Sequence, residues 1–513
     1  MKFAQTASAI IMGVDAHIID VEAHLADGLV GTSITGLADT SVSEARDRVR
    51  AAVATTGYPW PQQRITVGLS PAWLPKRGSA LDLAIALAVL AADGKVDSRR
   101  LHRTVVVGEL GLDGTVRAVR GVLPTTMAAK RWGFLSVIVP ISNAAEAALV
   151  PDIEVIAVGS LGHALRMLGV ACANGVETAA DHAFDEVHVA RKDLADVRGQ
   201  DAAKFALEVA AAGGHHLALL GPPGVGKTLL AERLPTILPP LEQDAALEVT
   251  AVQSIISDRP VTLQSAPPFA APHHGSSPAA LIGGGAVGSP RVGLITAAHR
   301  GVLFLDEAPE FAVNALEALR QPLESGSIAI ARSGFAVVLP ARFQLVIAAN
   351  PCPCGLAFDA RGRCTCTPSQ RRGYLGRISG PLMDRIDVRT ILEAPSAADV
   401  ALGSTAEPES SADVAARVAH ARDRQRRRLE GTPWRTNAEV PGPVLRKRWQ
   451  LPNATRDRFN SAMRTYGGAS VRGMDRTLRM AWTCADLAGH AAPTPDDLNV
   501  ALQLRDAGGR WTA

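Results

Sequence analysis

The chain has 513 residues, 47% of them hydrophobic and 20% charged, so it can fold as about three domains with sizeable cores. Its net charge of +3 and its 4% of aromatic residues give no compositional support to nucleic acid binding or to a base-stacking surface. There is no apolar run of the roughly 18 residues that a membrane span needs and no recognisable secretory signal, and the six cysteines suit a reducing compartment, so we expect a cytoplasmic protein.

Residues 1–175 are predicted to form a first domain of mixed α/β structure. Valine-rich runs at 105–107 and 137–139 are typical of buried strands, whereas residues 79–92 have the spacing of a helix. Upstream of these, Arg46, Arg48 and Arg50 are interleaved with acidic residues, a pattern that favours a solvated helix face.

A polar stretch at 174–185 indicates a linker, and residues 176–395 are predicted to form the second domain. Within it, the apolar residues 217–220 predict a buried strand, and a helix is expected to begin near 229, after a glycine-rich loop. Glycines allow such a loop to curl until its backbone N–H groups converge on phosphate oxygens, and the helix adds the positive end of its dipole. The pattern predicts a nucleoside triphosphate site made of Gly221, Pro222, Pro223, Gly224, Val225, Gly226, Lys227 and Thr228.

Two carboxylates, Asp306 and Glu307, follow an apolar run at 301–305. In the predicted site, Lys227 would reach the β- and γ-phosphates, while Thr228 and Asp306 would bind Mg²⁺. Glu307 would orient or deprotonate the attacking water. A buried strand with a solvated acidic end is the alternative, but the preceding phosphate loop favours the catalytic interpretation.

Two polar residues after this point have ordinary structural interpretations when they are taken alone. Asn350 ends a predicted buried strand at 343–349, where an asparagine is typical of a turn. Arg385 lies between Asp384 and Asp387, so an ion pair with either aspartate would account for it.

Four cysteines form two Cys-x-Cys pairs that are separated by nine residues. Four thiolates in a short loop suit tetrahedral Zn²⁺ in a structural role, because all four positions would be filled and no water site would stay open. The spacing departs from the commoner Cys-x₂₋₄-Cys, so a redox-active or simply reduced cluster stays open as the alternative. The candidate zinc ligands are Cys352, Cys354, Cys364 and Cys366.

The same region contains two candidate insertions. Residues 272–277 include the adjacent His273 and His274, whose side chains are expected to point in different directions, so they do not predict a metal site. Residues 325–340 predict a β-hairpin with Arg332 near its turn.

Residues 396–513 are predicted to form a third, helical domain. A helix at 412–429 carries six arginines, which indicates either contact with a phosphate backbone or a solvated face. Residues 471–488 have an apolar stripe at helical spacing, and Arg472, Arg476 and Arg479 follow one another on an adjacent face.

The motifs GPPGVGKT, the His-His insertion, FLDEAPEF, NPCPCG and SGPLMDRID, in this order, resemble the ComM/YifB family of magnesium-chelatase-like AAA+ ATPases. Residues 41–50, 71–76 and 108–110 are similar to the N-terminal domain of that family, so the resemblance covers nearly the whole chain. It implies an α/β fold class: a Lon-protease-like α/β domain, an AAA+ P-loop core and a small C-terminal helical lid.

The Lon protease domain uses a Ser–Lys dyad, and an ungapped comparison places these two positions at Ala80 and Leu123. Ser79 is one residue away from the first position, and Lys130 is seven residues beyond the second. Without a hydroxyl and a base in place, an acyl-enzyme cannot form. We therefore expect this domain to act as a scaffold or binding surface.

The resemblance also implies roles for polar residues of the other two domains. Residues 197–200 would line the adenine pocket, and Asn350 would be the "sensor 1" residue that helps to position the water. Arg385 would be an arginine finger that reaches the γ-phosphate bound by a neighbouring subunit, and Arg472 would be the "sensor 2" residue of the lid. His273 and His274 in the insertion and Arg332 in the hairpin would face a central pore.

Members of the family are hexameric ATPases that act as DNA branch-migration helicases. The resemblance therefore implies a ring that uses ATP and Mg²⁺ to translocate on branched or single-stranded DNA. Two alternatives act on a protein partner instead: a protein-remodelling ATPase and a Mg-chelatase-type motor subunit.

Overall fold

The computed structural model describes eight stretches of the chain. The predicted linker at 174–185 and the boundary at 395–396 lie outside them, so the predicted domain limits stay predictions. The described residues are 2–37, 39–171, 192–285, 291–332, 335–358, 362–393, 408–465 and 471–506.

The N-terminal part has mixed α/β structure. Its strands are β1 (Lys2–Met12), β2 (Asp15–Ala26), β3 (Gly31–Thr35), β4 (Arg64–Ser70), β5 (Thr104–Val106), β6 (Glu109–Leu110), β7 (Val116–Arg117), β8 (Ser136–Pro140) and β9 (Glu154–Val158). Its helices are α1 (Thr40–Thr55), α2 (Asp82–Ala92), α3 (Val122–Arg131), α4 (Ala144–Ala147) and α5 (Leu161–Met167).

Seven of these strands form one sheet in the order β3-β4-β2-β1-β5-β8-β9. The first hairpin is antiparallel, whereas β5, β8 and β9 run parallel to one another, as their valine-rich sequences predict. Every residue of α2 is buried, because this alanine-rich helix packs within the domain core.

The charged face expected on α1 is only partly solvated. Arg46 pairs with Asp47 at the surface, but Arg48 reaches inward and makes two hydrogen bonds of 2.7 and 3.0 Å to Asp82. The Asp82 side chain is fully buried at the start of α2, and a buried carboxylate needs such a partner. Charge alternation alone could not show which arginine has this role.

The positions compared with the Lon dyad have other contacts. Leu123 is fully buried and packs against Val150 and Ala251, the latter belonging to the ATPase core. The Ser79 hydroxyl contacts Glu109, and Lys130 pairs with Asp152 at a distance of 3.1 Å. The residue at the lysine position thus packs at an interface between domains.

The central part holds a second sheet, which is parallel, together with its helices and insertions. Its strands are β10 (Leu217–Leu220), β11 (Phe269–Ala270), β12 (Gly283–Gly284), β13 (Arg291–Val292), β14 (Val302–Leu305), β15 (Ser327–Arg332), β16 (Phe335–Pro340), β17 (Gln344–Ala349) and β18 (Val388–Ile391). Its helices are α6 (Asp201–Gly213), α7 (Lys227–Ala231), α8 (Leu234–Ile237), α9 (Gln243–Ile256), α10 (Pro278–Ile282), α11 (Leu294–Ala297), α12 (Val313–Glu317), α13 (Arg320–Ser325), α14 (Pro368–Leu375) and α15 (Gly380–Met383).

The five-stranded sheet has the order β11-β14-β17-β10-β18, with all pairings parallel. Its strand β10, which lies between β17 and β18, is buried on both faces: Ala218 and Leu220 belong to one hydrophobic core, and Leu217 and Leu219 to the other. The side-chain period of two in a strand produces this division, and an uninterrupted apolar run is its sequence signature.

The hairpin predicted at 325–340 is present as β15 and β16. Ile328, Ile330, Val337 and Leu339 are buried, and Val337 lies so close to Gly13 that a Cβ there would be 2.3 Å from its Cγ1. One face of the hairpin therefore packs against the N-terminal domain, while residues 333 and 334 at the turn lie outside the described stretches.

The C-terminal part consists of helices, as predicted. They are α16 (Ser411–Arg428), α17 (Gly442–Arg448), α18 (Asn453–Thr465), α19 (Val471–Ala488) and α20 (Pro495–Asp506). The apolar stripe of α19 packs against α6, α16 and α20, which attaches the helical part to the ATPase core. The mixed α/β fold class is thus confirmed.

Candidate nucleotide-binding site

The candidate site lies where the carboxyl ends of β10, β14 and β17 meet at one edge of the parallel sheet. Ligands of open α/β sheets bind at this edge, because the loops that leave the strands converge there. The loop 221–226 follows β10, Asp306 follows β14 and Asn350 follows β17.

The phosphate loop needs glycine at specific places. Gly224 and Gly226 have φ angles of 80° and 94°, a region that favours glycine, and Gly226 caps α7. A Cβ on Gly221 would lie 2.7 Å from the carbonyl oxygen of Leu392. The local conformation therefore explains three of the glycines in the sequence motif.

Lys227 has an extensive set of hydrogen bonds. Its Nζ donates to the carbonyl oxygens of Gly221 and Pro222 at 2.7 and 2.8 Å, and to Asn350 Oδ1 at 2.9 Å. Burial lowers the pKa of this lysine. The contact places Asn350, the predicted "sensor 1" residue, beside the phosphate loop.

Thr228 and Asp306 lie side by side, since the Thr228 hydroxyl donates to Asp306 Oδ2 at 2.5 Å. Hydroxyl and carboxylate oxygens are the hard ligands that Mg²⁺ prefers, and Mg²⁺ commonly binds through few protein oxygens together with phosphate and water. These two oxygens fit the predicted role of holding a magnesium ion beside a nucleotide.

Glu307 faces His274, with Oε2 3.6 Å from Nδ1 of the imidazole. The pairing of β11 with β14 explains the contact. Ala270 lies opposite Leu303, and His274 and Glu307 each follow these residues by four positions in the chain. Glu307 has a φ of 50°, and its N–H donates to Asp306 Oδ1 at 2.9 Å. The sequence analysis missed this pairing, although the equal spacing from two neighbouring strands was a usable signal.

The two histidines of the insertion do not point apart as expected. Their ring centroids are 4.1 Å apart with an interplanar angle of 33°, and Nδ1 of His273 accepts a hydrogen bond from the N–H of Gly275. The turn at Gly275 brings the rings together, which alternation along an extended chain would not do.

Arg385 does not use the acids proposed from its immediate sequence. Its guanidinium contacts Glu324 on α13 and donates to the carbonyl oxygen of Pro381 at 2.6 Å. Asp387 instead binds Nδ1 of His215 at 3.0 Å and lies 3.4 Å from Arg476. The alternative of an ion pair was correct in kind, but the partner comes from a different helix.

The arginines of α19 lie in different environments. Arg472 is in the first turn and exposed, whereas Arg476 and Arg479 are largely buried. Arg479 donates to the carbonyl oxygen of Val440 at 2.7 Å, and Arg476 faces Asp387 of the core. Arg472 thus differs in exposure from the other two, whose contacts within the described residues are structural.

The four cysteines form one compact cluster. The Cys352–Cys354, Cys354–Cys364 and Cys352–Cys364 sulfur pairs are 3.4, 3.5 and 3.7 Å apart, and all four sulfurs lie within 4.8 Å of one another. A hydrogen bond from the backbone of Leu356 lowers the pKa of Cys354 to about 6, while burial raises that of Cys352 to about 12. The arrangement could hold a metal ion.

The structure gives fewer contacts for the remaining candidate residues. Arg332 ends β15 beside the turn that lies outside the described residues. In the 197–200 motif, Val197 is buried, and the Gln200 side chain donates to the carbonyl oxygen of Glu393 at 2.7 Å. Arg233 was not anticipated; it binds Asp196 at 2.7 Å and fixes the turn that precedes this motif.

Comparison with known proteins gives matches over the length of the chain. Residues 21–143, 193–400 and 408–505 match three families, described as subunit ChlI of Mg-chelatase, magnesium chelatase subunit ChlI, and its C-terminal part. An uncharacterised Mycobacterium tuberculosis protein is 48% identical over 99% of this chain and 100% of its own length. YifB of Escherichia coli is 40% identical over 96% of this chain and 95% of its own length. The competence protein ComM of Haemophilus influenzae is 38% identical over 98% of both chains.

The chain belongs to the ComM/YifB family of magnesium-chelatase-like proteins. Membership of this family, together with the site geometry, supports an AAA+ ATPase. Within the described stretches, no helix combines the length and the apolar character needed to cross a bilayer.

Proposed function

We propose that this member of the ComM/YifB family is a Mg²⁺-dependent ATPase whose hydrolysis drives translocation on DNA. The observation that carries the ATPase is the convergence of Lys227, Asn350, Thr228 and Asp306 at one edge of the sheet, with Glu307 beside them. In P-loop ATPases, catalysis consists of positioning and charge stabilisation, and these side chains supply both functions.

The five residues divide the chemistry among them. Lys227 binds and neutralises phosphate oxygens, Thr228 and Asp306 hold the metal, and Asn350 orients the ammonium. Glu307 takes the proton of the attacking water or aligns that water with the γ-phosphorus. Mg²⁺ neutralises charge on the β- and γ-phosphates when it is bound.

The active assembly in this proposal is a ring of identical subunits, with a hexamer as the expected form. Arg385 of one subunit stabilises the transition-state charge on the nucleotide held by the next. In this proposal, Arg385 contacts Glu324 before it reaches the nucleotide of the neighbouring subunit.

DNA is proposed as the translocated polymer, with branched DNA as the substrate. The support is the likeness to a protein named competence protein ComM over nearly the whole chain, together with the insertion that carries His273 and His274 beside Glu307. A loop that touches a polymer at one end and the candidate catalytic carboxylate at the other could couple the two events.

The cysteine cluster is proposed to hold a structural Zn²⁺. A Zn–S distance of about 2.3 Å in a tetrahedron places the sulfurs about 3.8 Å apart, close to the spacings of 3.4–3.7 Å among Cys352, Cys354 and Cys364. With four protein ligands no coordination position is left for a substrate, so the metal would stabilise structure.

The test is ATP turnover of the full-length protein without DNA and with single-stranded, duplex and four-way DNA. We expect four-way DNA to stimulate turnover and Glu307→Gln to lower it by a factor of about 10²–10⁴ while ATP binding is kept. Glu154→Gln, at an exposed carboxylate of β9, is the matched control.

Two results would contradict the proposal. Hydrolysis that persists in Glu307→Gln would remove the role given to that carboxylate. Equal turnover with every DNA, together with stimulation by a protein partner, would favour a protein-remodelling or Mg-chelatase-type motor.

A further inference from the structure

The four-cysteine cluster joins two chain segments that both reach the candidate nucleotide site. The first segment continues β17 through Asn350 to Cys352 and Cys354. The second contains Cys364 and Cys366 and leads directly into α14. A metal at the cluster would therefore fix these two segments relative to each other.

The first segment touches the phosphate loop. Gly355, one residue after Cys354, has a φ of 77° and lies against Pro223, so that a Cβ there would be 2.5 Å from Pro223 Cδ. Its N–H donates to the carbonyl oxygen of Cys352 at 2.9 Å, which closes the turn around the first two sulfurs. The cysteine turn and the phosphate loop are thus in van der Waals contact.

The second segment reaches the same site through a tyrosine. Thr367, directly after Cys366, caps α14 by accepting a hydrogen bond from the N–H of Gln370. Near the end of α14, the Tyr374 side chain is buried and lies beside the amide of Asn350. Burial and the nearby carboxylates of Glu310 and Glu307 raise the pKa of Tyr374 to about 12, so its hydroxyl stays protonated.

Asn350 completes the connection, because its Oδ1 accepts a hydrogen bond from Nζ of Lys227 at 2.9 Å. Tyr374 thus lies beside the amide of Asn350, and this amide contacts the Lys227 ammonium, which is predicted to bind phosphate. We propose that the metal in the four-cysteine cluster positions the phosphate-sensing Asn350 through α14, with Tyr374 as the positioning residue.

Physical considerations favour dependence on the metal over a purely passive packing role. An eight-residue helix such as α14 has little stability by itself, so its place depends on its attachments at each end. Without a cation, the thiols of the two segments meet through weak S–H···S contacts, so the segments can separate. Separation removes the support of Tyr374 for Asn350 and loosens the turn against Pro223.

The inference rests on the proposed ATPase function, but its test has a readout that does not. Full-length protein is purified under reducing conditions, its zinc is quantified, and a portion is stripped with a chelator. Hydrogen exchange is then followed in peptides that cover 221–228 and 346–350, alongside ATP turnover. We expect stripped protein to exchange faster in both peptides and to lose turnover about tenfold, and added Zn²⁺ to restore both.

Tyr374→Phe separates positioning from metal binding. We expect this variant to keep one zinc per chain, to exchange faster at 346–350 and to lose turnover about three- to tenfold, because the hydroxyl beside Asn350 is lost. Tyr58→Phe, which removes a hydroxyl that donates to Ala171 in the N-terminal domain, is the matched control.

The proposal is overturned if stripped protein keeps the exchange rates and turnover of the loaded protein, or if the protein binds no metal. Wild-type exchange and turnover in a fully loaded Tyr374→Phe would exclude Tyr374 as the link. If the wild type hydrolyses no ATP, the proposed function fails, and the exchange data still decide whether the metal positions the loop.

Discussion

Glu307 shows how one neighbour and one backbone torsion orient a candidate catalytic side chain. Its left-handed conformation is uncommon for a residue with a Cβ, and it sets the direction in which the side chain leaves the backbone. The imidazole of His274 lies 3.6 Å from the Glu307 carboxylate. The carboxylate is therefore held toward the insertion loop, on the side where a polymer is proposed to bind.

Replacing His274 with alanine is expected to raise ATP turnover in the absence of DNA by a factor of about 2 to 5, which is below 1 kcal/mol of barrier. Without the imidazole, Glu307 is free to move toward the water beside the γ-phosphate. Stimulation by DNA should shrink accordingly. Steady-state turnover with and without four-way DNA measures both effects.

The control for this variant is His420→Ala, at an exposed histidine of α16. If DNA-free turnover of His274→Ala falls, the imidazole orients Glu307 for catalysis, and the restraining role is wrong. An unchanged ratio of DNA-stimulated to basal turnover would remove His274 from the coupling altogether.

At the scale of elements, the arginines of α16 show how a basic sequence can be structural. Arg422 donates twice to the carbonyl oxygen of Ala211, and Arg417 makes bonds of 2.6 and 2.8 Å to Glu208. Arg428 pairs with the buried carboxylate of Asp486 and stacks over Trp482. These arginines join α16 to α6 of the ATPase core and to α19 within the helical part, a role that neither the phosphate-backbone nor the solvated-face interpretation predicted.

We expect Arg428→Ala to lower the free energy of unfolding by about 3 kcal/mol, because it leaves a buried carboxylate without its charged partner. Arg427→Ala, at the exposed neighbouring residue, should change it by less than about 0.5 kcal/mol. Urea denaturation followed by tryptophan fluorescence measures the difference. Equal effects of the two variants would contradict the structural role of Arg428.

At the scale of the whole molecule, the contacts of Arg385 raise the question of how an active site is completed. Within the chain this arginine contacts Glu324 and Pro381, and these contacts do not include the phosphate loop. These contacts are compatible with the proposal that Arg385 acts on the γ-phosphate bound by a neighbouring subunit.

Arg385→Ala is expected to keep ATP binding and to lower turnover about 10³-fold, the range that arginine fingers contribute. Mixing it with the inactive Glu307→Gln variant should restore part of the turnover, because an intact pocket of one variant is completed by the arginine of the other. The surface variant Arg427→Ala is mixed in parallel. A mixture of the two variants that recovers no turnover, or full turnover in isolated monomers, would exclude a shared site.

The sequence by itself determined the parts of this protein whose chemistry is local. The glycine loop, Lys227, Thr228 and the two acids occupy adjacent positions, and the helix dipole and the torsions of glycine act within a few residues. The parallel-strand pattern and the order of the motifs likewise gave the fold class and the family.

Only the tertiary structure decided which remote residues meet. The partners His274–Glu307, Glu324–Arg385 and Tyr374–Asn350 come from segments that the sheet and the cysteine cluster bring together. The inward turn of Arg48 and the anchoring role of α16 depend in the same way on which acids become buried nearby. Hydrogen bonds and ion pairs are short-ranged, so packing over long sequence separations, rather than residue type, determines these contacts.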